Sequence, residues 1–406
     1  MISFLYENYP YGSAEAFVEY EMRELASYME RECAVYSFCP TCVGQKRFVP
    51  ENAHVINISE GKTWPIYVRA FLSLFSIESL REIMSLLKEK HDEGFFRCFW
   101  RIYRYQLEAA AFITHYKKVR NKGEKDIFVS YWLNQCAYAL VKLKRKYSEI
   151  TIVSRGHGYD VYKERGYLPF RRQVLSGMDK IYLINHNAKE YFAKNYGEWL
   201  DMSKVAVAHL GVSMPQASAV APKQGMFRVV TCASIIPLKR LDLMIDALTL
   251  LGDADMEWVH FGDGPLAEKM QEYAREKLTG TSIRFSFMGK KSLSEIQAYY
   301  ATTPIHLFVN SSDTEGTPVS VMEAMSYGIP AIGRDVGGIG ELIDATCGCL
   351  IDSVADPEKL AKAIKDFYLM PSEIYIQKRE AAFEKVYSAF NADRVYREYI
   401  EEICKL

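Results

Sequence analysis

Short apolar segments alternating with helical patterns constrain the fold of this 406-residue chain more than any other feature. The segments are β-rich and mostly lack polar alternation, which is typical of parallel strands covered by helices on both faces. The predicted strands are Ile2–Tyr6, Cys33–Phe38, Ile127–Tyr131, Ile150–Val153, Lys180–Ile184 and Val205–His209, then Arg228–Cys232, Glu257–Phe261, Arg284–Phe287, Ile305–Asn310 and Ala331–Gly333. Strands alternating with helices predict an α/β fold with two doubly wound, Rossmann-like domains.

A small, polar, proline-containing stretch separates the two series of strands. Residues 213–225 show no periodicity and are predicted to form a linker. We therefore expect an N-terminal Rossmann-like domain over 1–212 and a C-terminal one over 226–385. Residues from about 386 to 406 have a charged helical pattern, which we expect to pack back on the first domain.

Composition limits the class of protein and its compartment. A formal net charge of −1 gives no reason to expect a nucleic acid as partner. The start shows no secretion signal, and no apolar run approaches the ~20 residues of a membrane span. Nine scattered cysteines suit a reducing compartment, so the cytoplasm is expected. The close pairs Cys39/Cys42 and Cys347/Cys349 do not have the spacing of a zinc ribbon.

One segment, 305–330, places a strand, an acidic turn and a helix in direct succession. We predict the strand at Ile305–Asn310 and the helix at Pro318–Ser326. Glu315 lies in the turn and Glu323 in the helix, and the join contains Gly316, Thr317 and Pro318. Free N–H groups at a helix start attract phosphate, and carboxylates accept hydrogen bonds from sugar and ribose hydroxyls. The segment therefore predicts a pocket for a nucleotide diphosphate-sugar.

Two adjacent cations follow the first strand of the second domain. Lys239 and Arg240 precede the predicted helix Leu241–Leu250, and Ser234 lies earlier in the same loop. Ligands of α/β domains bind at the carboxyl ends of strands, and a lysine there can act as a point charge on a phosphate. We predict that this loop binds the diphosphate.

Three further loops at strand ends contain candidate site residues. In the second domain, Gly262 and Gly264 let the backbone turn tightly beside a ligand. In the first domain, glycines on both sides are expected to expose His157, which can hydrogen-bond a sugar hydroxyl or share a proton at the reacting centre. Gly12, in the loop before the predicted helix Phe17–Met29, would let a backbone or a phosphate come close.

Residues 64–122 combine aromatic and basic side chains, and two interpretations stay open. Phe95–Tyr105 interleaves aromatic residues with arginines, and Lys117 and Lys118 follow. Such a surface can lie on anionic lipid. The same pattern fits core-packing helices whose arginines bury their stems.

These motifs resemble those of the retaining glycosyltransferases of family 4, also called group 1, over nearly the whole chain. The matching residues are Glu315-Gly316-Thr317-Pro318 with Glu323 to Pro330, Val336-Gly337-Gly338 with Glu341, Phe261 to Leu266, Phe287-Met288-Gly289, and His157-Gly158-Tyr159-Asp160. The start, Tyr9 to Val18, is similar to that of members that build capsular and exopolysaccharides. The resemblance implies the GT-B fold, in which two Rossmann-like domains face each other across a cleft.

The resemblance also implies an activity and a role for each residue. The expected reaction moves a sugar from a nucleotide diphosphate donor, UDP more than GDP, to a glycan or lipid-linked acceptor with retained configuration. Glu315 would contact the donor sugar, Glu323 the ribose and Lys239 the diphosphate, with no metal ion or other cofactor. Further donor contacts are implied for Arg240, Ser234, Gly316, Thr317, Pro318, Gly262, Gly264, Met288 and Gly12. His157 is implied in catalysis, and Asp160 and Ser13 on the acceptor side.

One departure from the family pattern leaves alternatives open. The family usually has arginine where this chain has Ser234, and glycine where it has Arg240. Arg240 either supplies the missing charge or points elsewhere. Two other functions therefore remain: a nucleotide-sugar epimerase, which would need no acceptor, and a non-catalytic nucleotide-sugar-binding component of an assembly complex.

Overall fold

The chain forms two compact units in a computed structural model. The structure describes residues 2–12, 15, 18–28, 33–39, 47–88, 91–120, 125–215 and 225–406. Unit 1 is Met1–His209 together with Tyr396–Leu406, and unit 2 is Leu210–Val395. Most of the predicted linker, 213–225, lies outside the described residues, as do Ser13 and Cys42.

Unit 1 is built on a seven-stranded parallel sheet with the order β3-β2-β1-β4-β5-β6-β7. Its strands are β1 (Ile2–Tyr6), β2 (Cys33–Ser37), β3 (Ala53–Asn57), β4 (Ile127–Ser130), β5 (Thr151–Gly156), β6 (Lys180–Leu183) and β7 (Val205–Val207). Its helices are α1 (Val18–Tyr28), α2 (Trp64–Ser73), α3 (Ile77–Lys88), α4 (Phe95–Val119), α5 (Gln135–Lys144), α6 (Arg171–Gly177) and α7 (His186–Tyr196). The order of the strands reverses between β1 and β4, as in a Rossmann fold.

Unit 2 repeats this plan with six parallel strands in the order β10-β9-β8-β11-β12-β13. The strands are β8 (Phe227–Cys232), β9 (Met256–Phe261), β10 (Arg284–Phe287), β11 (Leu307–Asn310), β12 (Ala331–Arg334) and β13 (Gly348–Ile351). The helices are α8 (Leu241–Thr249), α9 (Ala267–Leu278), α10 (Leu293–Thr302), α11 (Val319–Ser326), α12 (Ile339–Leu342), α13 (Pro357–Tyr368) and α14 (Ser372–Ala389). The strand order reverses between β8 and β11.

The predicted α/β, doubly wound architecture is confirmed, but two strands were missed. β3 and β13 both lie at an edge of their sheet. Most residues of β3 are only partly buried, and β13 begins with Gly348 and has two partly buried residues. Edge strands need no continuous apolar run, so the pattern that identified the central strands did not reveal them.

The pattern at about 386–406 was predicted as one helical stretch, and the structure has the end of one helix and a second helix there. α14 ends at Ala389, and α15 runs over Ala392–Cys404. From Tyr396 onward, α15 belongs to unit 1.

A buried ion pair in unit 1 lies beneath this last part of the chain. Nη1 of Arg155 lies 2.9 Å from Oε1 of Glu21, and both side chains are almost fully buried. The Arg155 guanidinium also donates to the carbonyl of Ala208 at 2.8 Å, and it lies 4.7 Å from the centre of the Tyr399 ring. Removing either partner would leave a buried charge unpaired, which costs several kcal/mol of folding free energy, on the order of 3–5. Tyr399 covers the guanidinium and helps to keep the pair away from water.

Within the aromatic and basic region 64–122, the described residues 64–88 and 91–120 contain α2, α3 and α4, and one face of these helices packs on the core of unit 1. Two of the interleaved arginines have carboxylate partners, since Arg101 pairs with Glu93, and Arg104 pairs with Glu7 at 2.6 Å. The other face carries exposed apolar side chains, among them Trp64, Phe71, Leu72, Phe75, Ile77, Leu80, Met84, Leu87, Phe96 and Trp100. In the part of the chain that the structure describes, no helix has the length and apolar character needed to cross a bilayer.

Candidate functional site

The two most informative loops of unit 2 meet at its topological switch point. The loop that contains Lys239 follows β8, and the turn that contains Glu315 follows β11, which is the neighbour of β8 in the sheet. Ligands of open α/β sheets bind at the carboxyl ends of strands where the strand order reverses. The fold therefore brings together two motifs that are far apart in the sequence.

The carboxylate of Glu315 is the centre of this site. Its Oε1 lies 2.6 Å from Nζ of Lys239 and accepts hydrogen bonds from Oγ of Ser312 at 2.7 Å and Nδ2 of Asn310 at 3.1 Å. The Glu315 side chain is about one-tenth exposed and that of Lys239 about one-fifth. An ammonium has three donors, so Lys239 can keep Glu315 and also bind a phosphate oxygen. The pair places one negative and one positive group at the same strand edge.

A glycine turn after β12 packs against the backbone of the acidic turn that contains Glu315 and Gly316. Gly337 has φ +56°, and a Cβ built on it would lie 1.9 Å from the carbonyl oxygen of Glu315. The N–H of Gly338 donates to the carbonyl of Gly316 at 2.7 Å. Only glycine allows this close approach, which explains glycine at position 337. Thr317 is buried beside this contact, and Pro318 caps the start of α11.

Glu323 lies inside α11, as predicted, and its environment is apolar. Burial raises the pKa of its carboxyl from 4.5 to about 8, and no cation in the described part of the chain offsets this effect. Its electrostatic neighbours are Cys232 at the end of β8 and the fully buried Tyr300, whose hydroxyl has no hydrogen-bond partner among the described residues. At neutral pH the empty protein therefore holds Glu323 mainly protonated. The side chain is only partly buried by its accessible surface, so the carboxyl can bond to a ligand hydroxyl.

Arg240 is already neutralised by two carboxylates. It adopts a left-handed conformation with φ +47°, and its guanidinium lies 2.9 Å from Asp242 and 3.2 Å from Asp313. Ser234 is exposed and contributes no charge. Arg240 therefore forms ion pairs with Asp242 and Asp313 within the loops. Lys239 is the cation that contacts Glu315.

Gly262 and Gly264 approach the neighbouring loop of the protein itself. A Cβ on Gly262 would lie 1.8 Å from the carbonyl oxygen of Ala233, and one on Gly264 would lie 2.5 Å from that of Ile235. These glycines let the loop after β9 pack directly on the loop after β8. They therefore position the loop that carries Lys239, whereas the sequence suggested direct proximity to a ligand. Met288, after β10, is exposed.

In unit 1, His157 is buried, which contradicts the predicted exposure. Its ring stacks on Tyr131 with a centroid distance of 4.2 Å, and Trp132 lies 4.8 Å away. Within the described residues neither ring nitrogen makes a hydrogen bond of good geometry, although backbone groups of Arg155 and Tyr131 lie near enough to interact with the ring. Burial, and then the charge of Arg155, hold the pKa of this imidazole well below its ordinary value. The flanking glycines shape the turn, but two aromatic rings cover the histidine.

Asp160 orders the same turn by accepting hydrogen bonds from its backbone N–H groups. It is fully buried and accepts hydrogen bonds at 2.9 Å from the N–H groups of Leu133, His157 and Gly158. Such a carboxylate orders the loop around His157 rather than forming its surface. Gly12 is exposed with φ +67°, and no atom lies within 4 Å of a Cβ built on it.

Sequence reasoning missed a polar pocket at the carboxyl edge of the sheet in unit 1. The pocket has a volume of about 330 Å³ and is lined in part by Glu7, Arg104, Asn134 and Tyr159. The Glu7 carboxylate accepts hydrogen bonds from Arg104 at 2.6 Å and Asn134 at 3.2 Å. Glu7 directly follows β1, and that position at a strand end was the available signal.

Comparison with known proteins shows what unit 2 is similar to. Residues 227–369 match the family described as "Glycosyl transferases group 1". One component of the phosphatidylinositol N-acetylglucosaminyltransferase of Arabidopsis thaliana is 25% identical over 218 residues, which are 53% of this chain and 47% of the relative. The putative colanic acid biosynthesis glycosyltransferase WcaL of Escherichia coli K12 is 25% identical over 203 residues, or 48% of this chain and 50% of the relative. The chain thus spans about half the length of these curated relatives.

Solved structures show the same fold over the whole chain. The lipopolysaccharide outer core galactosyltransferase WaaB in its apo form has a TM-score of 0.71 at 17% identity, covering 100% of this chain and 99% of that one. Anabaena HepE in complex with UDP and glucose has a TM-score of 0.67 at 14% identity, with 100% and 99% coverage. The predicted GT-B fold class is confirmed by these similarities.

Proposed function

Residues 227–369 are a domain of the group 1 glycosyl transferases, and from this premise we propose that the chain transfers a sugar from a nucleotide diphosphate-sugar to a glycan or lipid-linked acceptor. UDP is the proposed nucleotide, because HepE, which has the same fold, was solved in complex with UDP and glucose. WcaL, a relative, is named for polysaccharide biosynthesis, which supports a role in making cell-surface polysaccharide.

The observation that carries this proposal is the Lys239–Glu315 pair at the switch point of unit 2. Cleavage of the sugar–phosphate bond leaves negative charge on the diphosphate, and a fixed ammonium stabilises it. Lys239 would bind the departing diphosphate, together with N–H groups at the start of α11, so that no metal ion is needed. Glu315 would hold the donor sugar, and the partly buried carboxyl of Glu323 would bond to the ribose.

The proposed reaction retains the configuration of the transferred sugar. Retention requires one of two routes. Either an enzyme group attacks the anomeric carbon from the face opposite the diphosphate and is then displaced by the acceptor, or the acceptor arrives on the face of the departing diphosphate, which accepts the proton of its hydroxyl. His157 is the proposed residue of unit 1 that assists at this centre, and its two ring nitrogens, which make no hydrogen bond of good geometry within the described residues, support the assignment. We propose that Asp160 acts on the acceptor side only through the turn that it orders.

The proposed setting is the cytoplasmic face of a membrane. The cysteines of the described residues are free thiols, which fits a reducing compartment. The exposed apolar side chains of α2, α3 and α4 support contact with a membrane surface.

Titration calorimetry of UDP and GDP against the wild-type chain and Lys239→Ala tests the donor site. We expect one nucleotide to bind, with a loss of roughly 10- to 100-fold in the variant, as for a charged group bound to phosphate. Lys291→Ala is the matched control, because Lys291 also pairs with a glutamate of unit 2, Glu295 at 3.2 Å, but on an exposed helix start. If neither nucleotide binds, the donor-site assignment is wrong.

Product analysis separates transfer from the two other functions. Incubation with UDP-sugars and lipid-linked or oligosaccharide acceptors should give a glycoside with the anomeric configuration of the donor, read by proton NMR. Isomerisation of the donor in the absence of any acceptor would identify an epimerase. Nucleotide binding without turnover on any acceptor would identify a non-catalytic component.

A further inference from the structure

A basic pocket in unit 1 lies between α2, α4 and α5. It has a volume of about 610 Å³, and its cations are Arg69, Lys117, Lys118, Lys142 and Lys146. No acidic side chain is among the residues that line it. We call this cavity the basic pocket. Its charge is unusual in a chain whose formal net charge is −1.

The basic pocket lies at the opposite edge of the sheet from the predicted site loops. α4 leads into β4, and α5 follows β4, so the end of α4 and the end of α5 both lie near the amino end of that strand. Lys117 and Lys118 belong to the last turn of α4, and Lys146 comes just after α5. The turns that hold Asn134 and His157 follow the carboxyl ends of strands. The basic pocket is therefore a separate site.

Most of its positive charge is uncompensated. Lys142 lies 3.4 Å from Glu78, and Arg69 donates a hydrogen bond to Oγ1 of Thr114 at 2.9 Å. The other three cations have no ion pair within the described ranges, and all three are exposed. Converging cations with a hydroxyl on the same wall suit a phosphate group, which offers several acceptor oxygens.

An exposed apolar corner adjoins the basic pocket. It consists of the end of α2 and the start of α3, with Phe71, Leu72, Phe75, Ile77 and Leu80 all exposed. We call these residues the 71–80 corner. The start of α3 adjoins the pocket, because Gln106, a lining residue, donates a hydrogen bond to Oγ of Ser79 at 2.8 Å. Large apolar side chains beside a cationic pocket are the two components that bind a protein to an anionic bilayer.

We propose that the basic pocket binds the phosphate of an anionic phospholipid headgroup while the 71–80 corner enters the boundary between headgroups and acyl chains. This inference rests on the membrane contact proposed above and not on sugar transfer. It assigns the lipid charge to the end of α4 and to α5. Lys117 and Lys118 already belonged to the aromatic and basic pattern of the sequence, and the structure adds Lys142 and Lys146. Arg101 and Arg104 of the same pattern are held by Glu93 and Glu7, as described above.

Flotation of the full chain with vesicles tests the proposal. The vesicles contain either phosphatidylcholine alone or equal parts of phosphatidylcholine and phosphatidylglycerol. We expect binding to the anionic vesicles that weakens as salt is raised. The triple variant Lys117→Gln/Lys118→Gln/Lys146→Gln should lose about five-fold in partitioning for each cation removed, or roughly 100-fold in all.

A matched control removes the same charge elsewhere. Lys269, Arg275 and Lys277 are exposed on α9 of unit 2, and their triple change to glutamine should leave vesicle binding within about two-fold of wild type. Leu72→Ser/Phe75→Ser should weaken binding to anionic vesicles without changing its dependence on phosphatidylglycerol. Both residues are exposed, so the fold should be kept, which a thermal melt verifies.

Three outcomes would overturn the proposal. Equal binding of the lysine variant and the α9 control would show that net charge, not the basic pocket, attracts the membrane. Wild-type binding to neither vesicle would refute the membrane contact itself. Tight calorimetric binding of glycerol phosphate, lost in the lysine variant but without vesicle binding, would assign the pocket to a soluble phosphate ligand. UDP binding, measured on the same samples, is expected to stay unchanged in every variant and reports the donor site independently.

Discussion

The ammonium of Lys239 lies 2.6 Å from the carboxylate of Glu315, although 76 positions separate them in the chain. The pair exists because β8 and β11 are neighbours at a switch point, so their following loops converge. Two residues that a donor requires, one for the sugar and one for the phosphate, are therefore already oriented by each other. Pre-orientation of this kind reduces the free energy that substrate binding must supply.

Replacing Glu315 by glutamine should reduce turnover far more than stability. The amide oxygen can still accept from Ser312 and Asn310, so we expect the free energy of unfolding to change by no more than ~1–2 kcal/mol. Loss of the negative charge at the sugar should lower kcat by roughly 100- to 1000-fold. Steady-state kinetics and a urea melt on the same preparation measure the two effects. If the variant keeps the wild-type kcat, the proposed catalytic role of Glu315 is wrong.

Glu323→Gln should stabilise the empty protein at pH 8 while weakening the binding of UDP. The folded pKa of about 8 is above the ordinary 4.5. The folded state therefore binds more protons between these values, and the contribution of Glu323 to stability falls as pH rises from about 4.5 to about 8. The glutamine carries no such penalty, and we expect a gain of about 1–3 kcal/mol at pH 8 and little change near pH 4. Denaturant melts across this range, with calorimetry of UDP, provide the measurement; a gain that does not depend on pH would contradict the buried-acid explanation.

His157 should remain neutral throughout the physiological pH range, because burial and Arg155 lower its pKa. Its imidazole NMR signals should therefore show no titration between about pH 6 and pH 8, the range in which an unperturbed histidine changes charge. His157→Phe should keep the stack on Tyr131 and the fold, yet lower kcat by roughly 100-fold through loss of the ring nitrogens. Titration of His157 close to neutral pH would show that its environment is more open than the structure indicates.

Gly337→Ala should destabilise the acidic turn in two ways: by the strain of a positive φ and by a steric clash of the new Cβ. Its Cβ would lie 1.9 Å from the Glu315 carbonyl oxygen. The matched control is Gly280→Ala, where φ is also positive at +86° but no atom lies within 4 Å of the Cβ. Both variants should lose ~1–2 kcal/mol from left-handed strain, and Gly337→Ala should lose ~1–3 kcal/mol more through the clash. Only Gly337→Ala should reduce kcat/KM, and equal activity in the two variants would argue against the supporting role of the glycine turn.

Chelation should leave activity unchanged if Lys239 and the start of α11 hold the diphosphate as proposed. Transfer rates measured with and without excess EDTA, after dialysis, should agree within about two-fold. A loss that is restored by added Mg²⁺ or Mn²⁺ would show that the cation of Lys239 is not sufficient for the leaving group.

The sequence was most informative where chemistry and secondary structure coincide. Glu315 and Glu323 could be placed on a turn and a helix because strand, turn and helix signals occur within one segment, and the parallel sheets followed from strands buried on both faces. The partners of Arg240 could not be predicted, because Asp313 reaches it only through the pairing of β8 with β11. The burial of His157 depends on Tyr131 and Trp132 from another loop, and no local pattern reveals such a contact.

The glycines after β9 show a second limit. Gly262 and Gly264 were correctly recognised as positions of close approach, but the sequence did not show what approaches them. The structure identifies the carbonyls of Ala233 and Ile235 as close neighbours of these glycines, so packing alone accounts for glycine at both positions. The predicted contact with the donor stays a prediction. Glycines that let two loops pack closely and glycines that let a ligand approach the backbone can have the same sequence signature.

The ion pair between Arg155 and Glu21 has a consequence for the order in which the chain can fold. Part of its cover, Tyr399, belongs to a segment that follows all of unit 2 in the sequence. During synthesis, the Arg155–Glu21 pair stays incompletely covered until the whole of unit 2 and the residues that follow it have left the ribosome. Unit 2 is continuous and can complete its own core first. The part of the molecule that is made first is thus the part that is finished last.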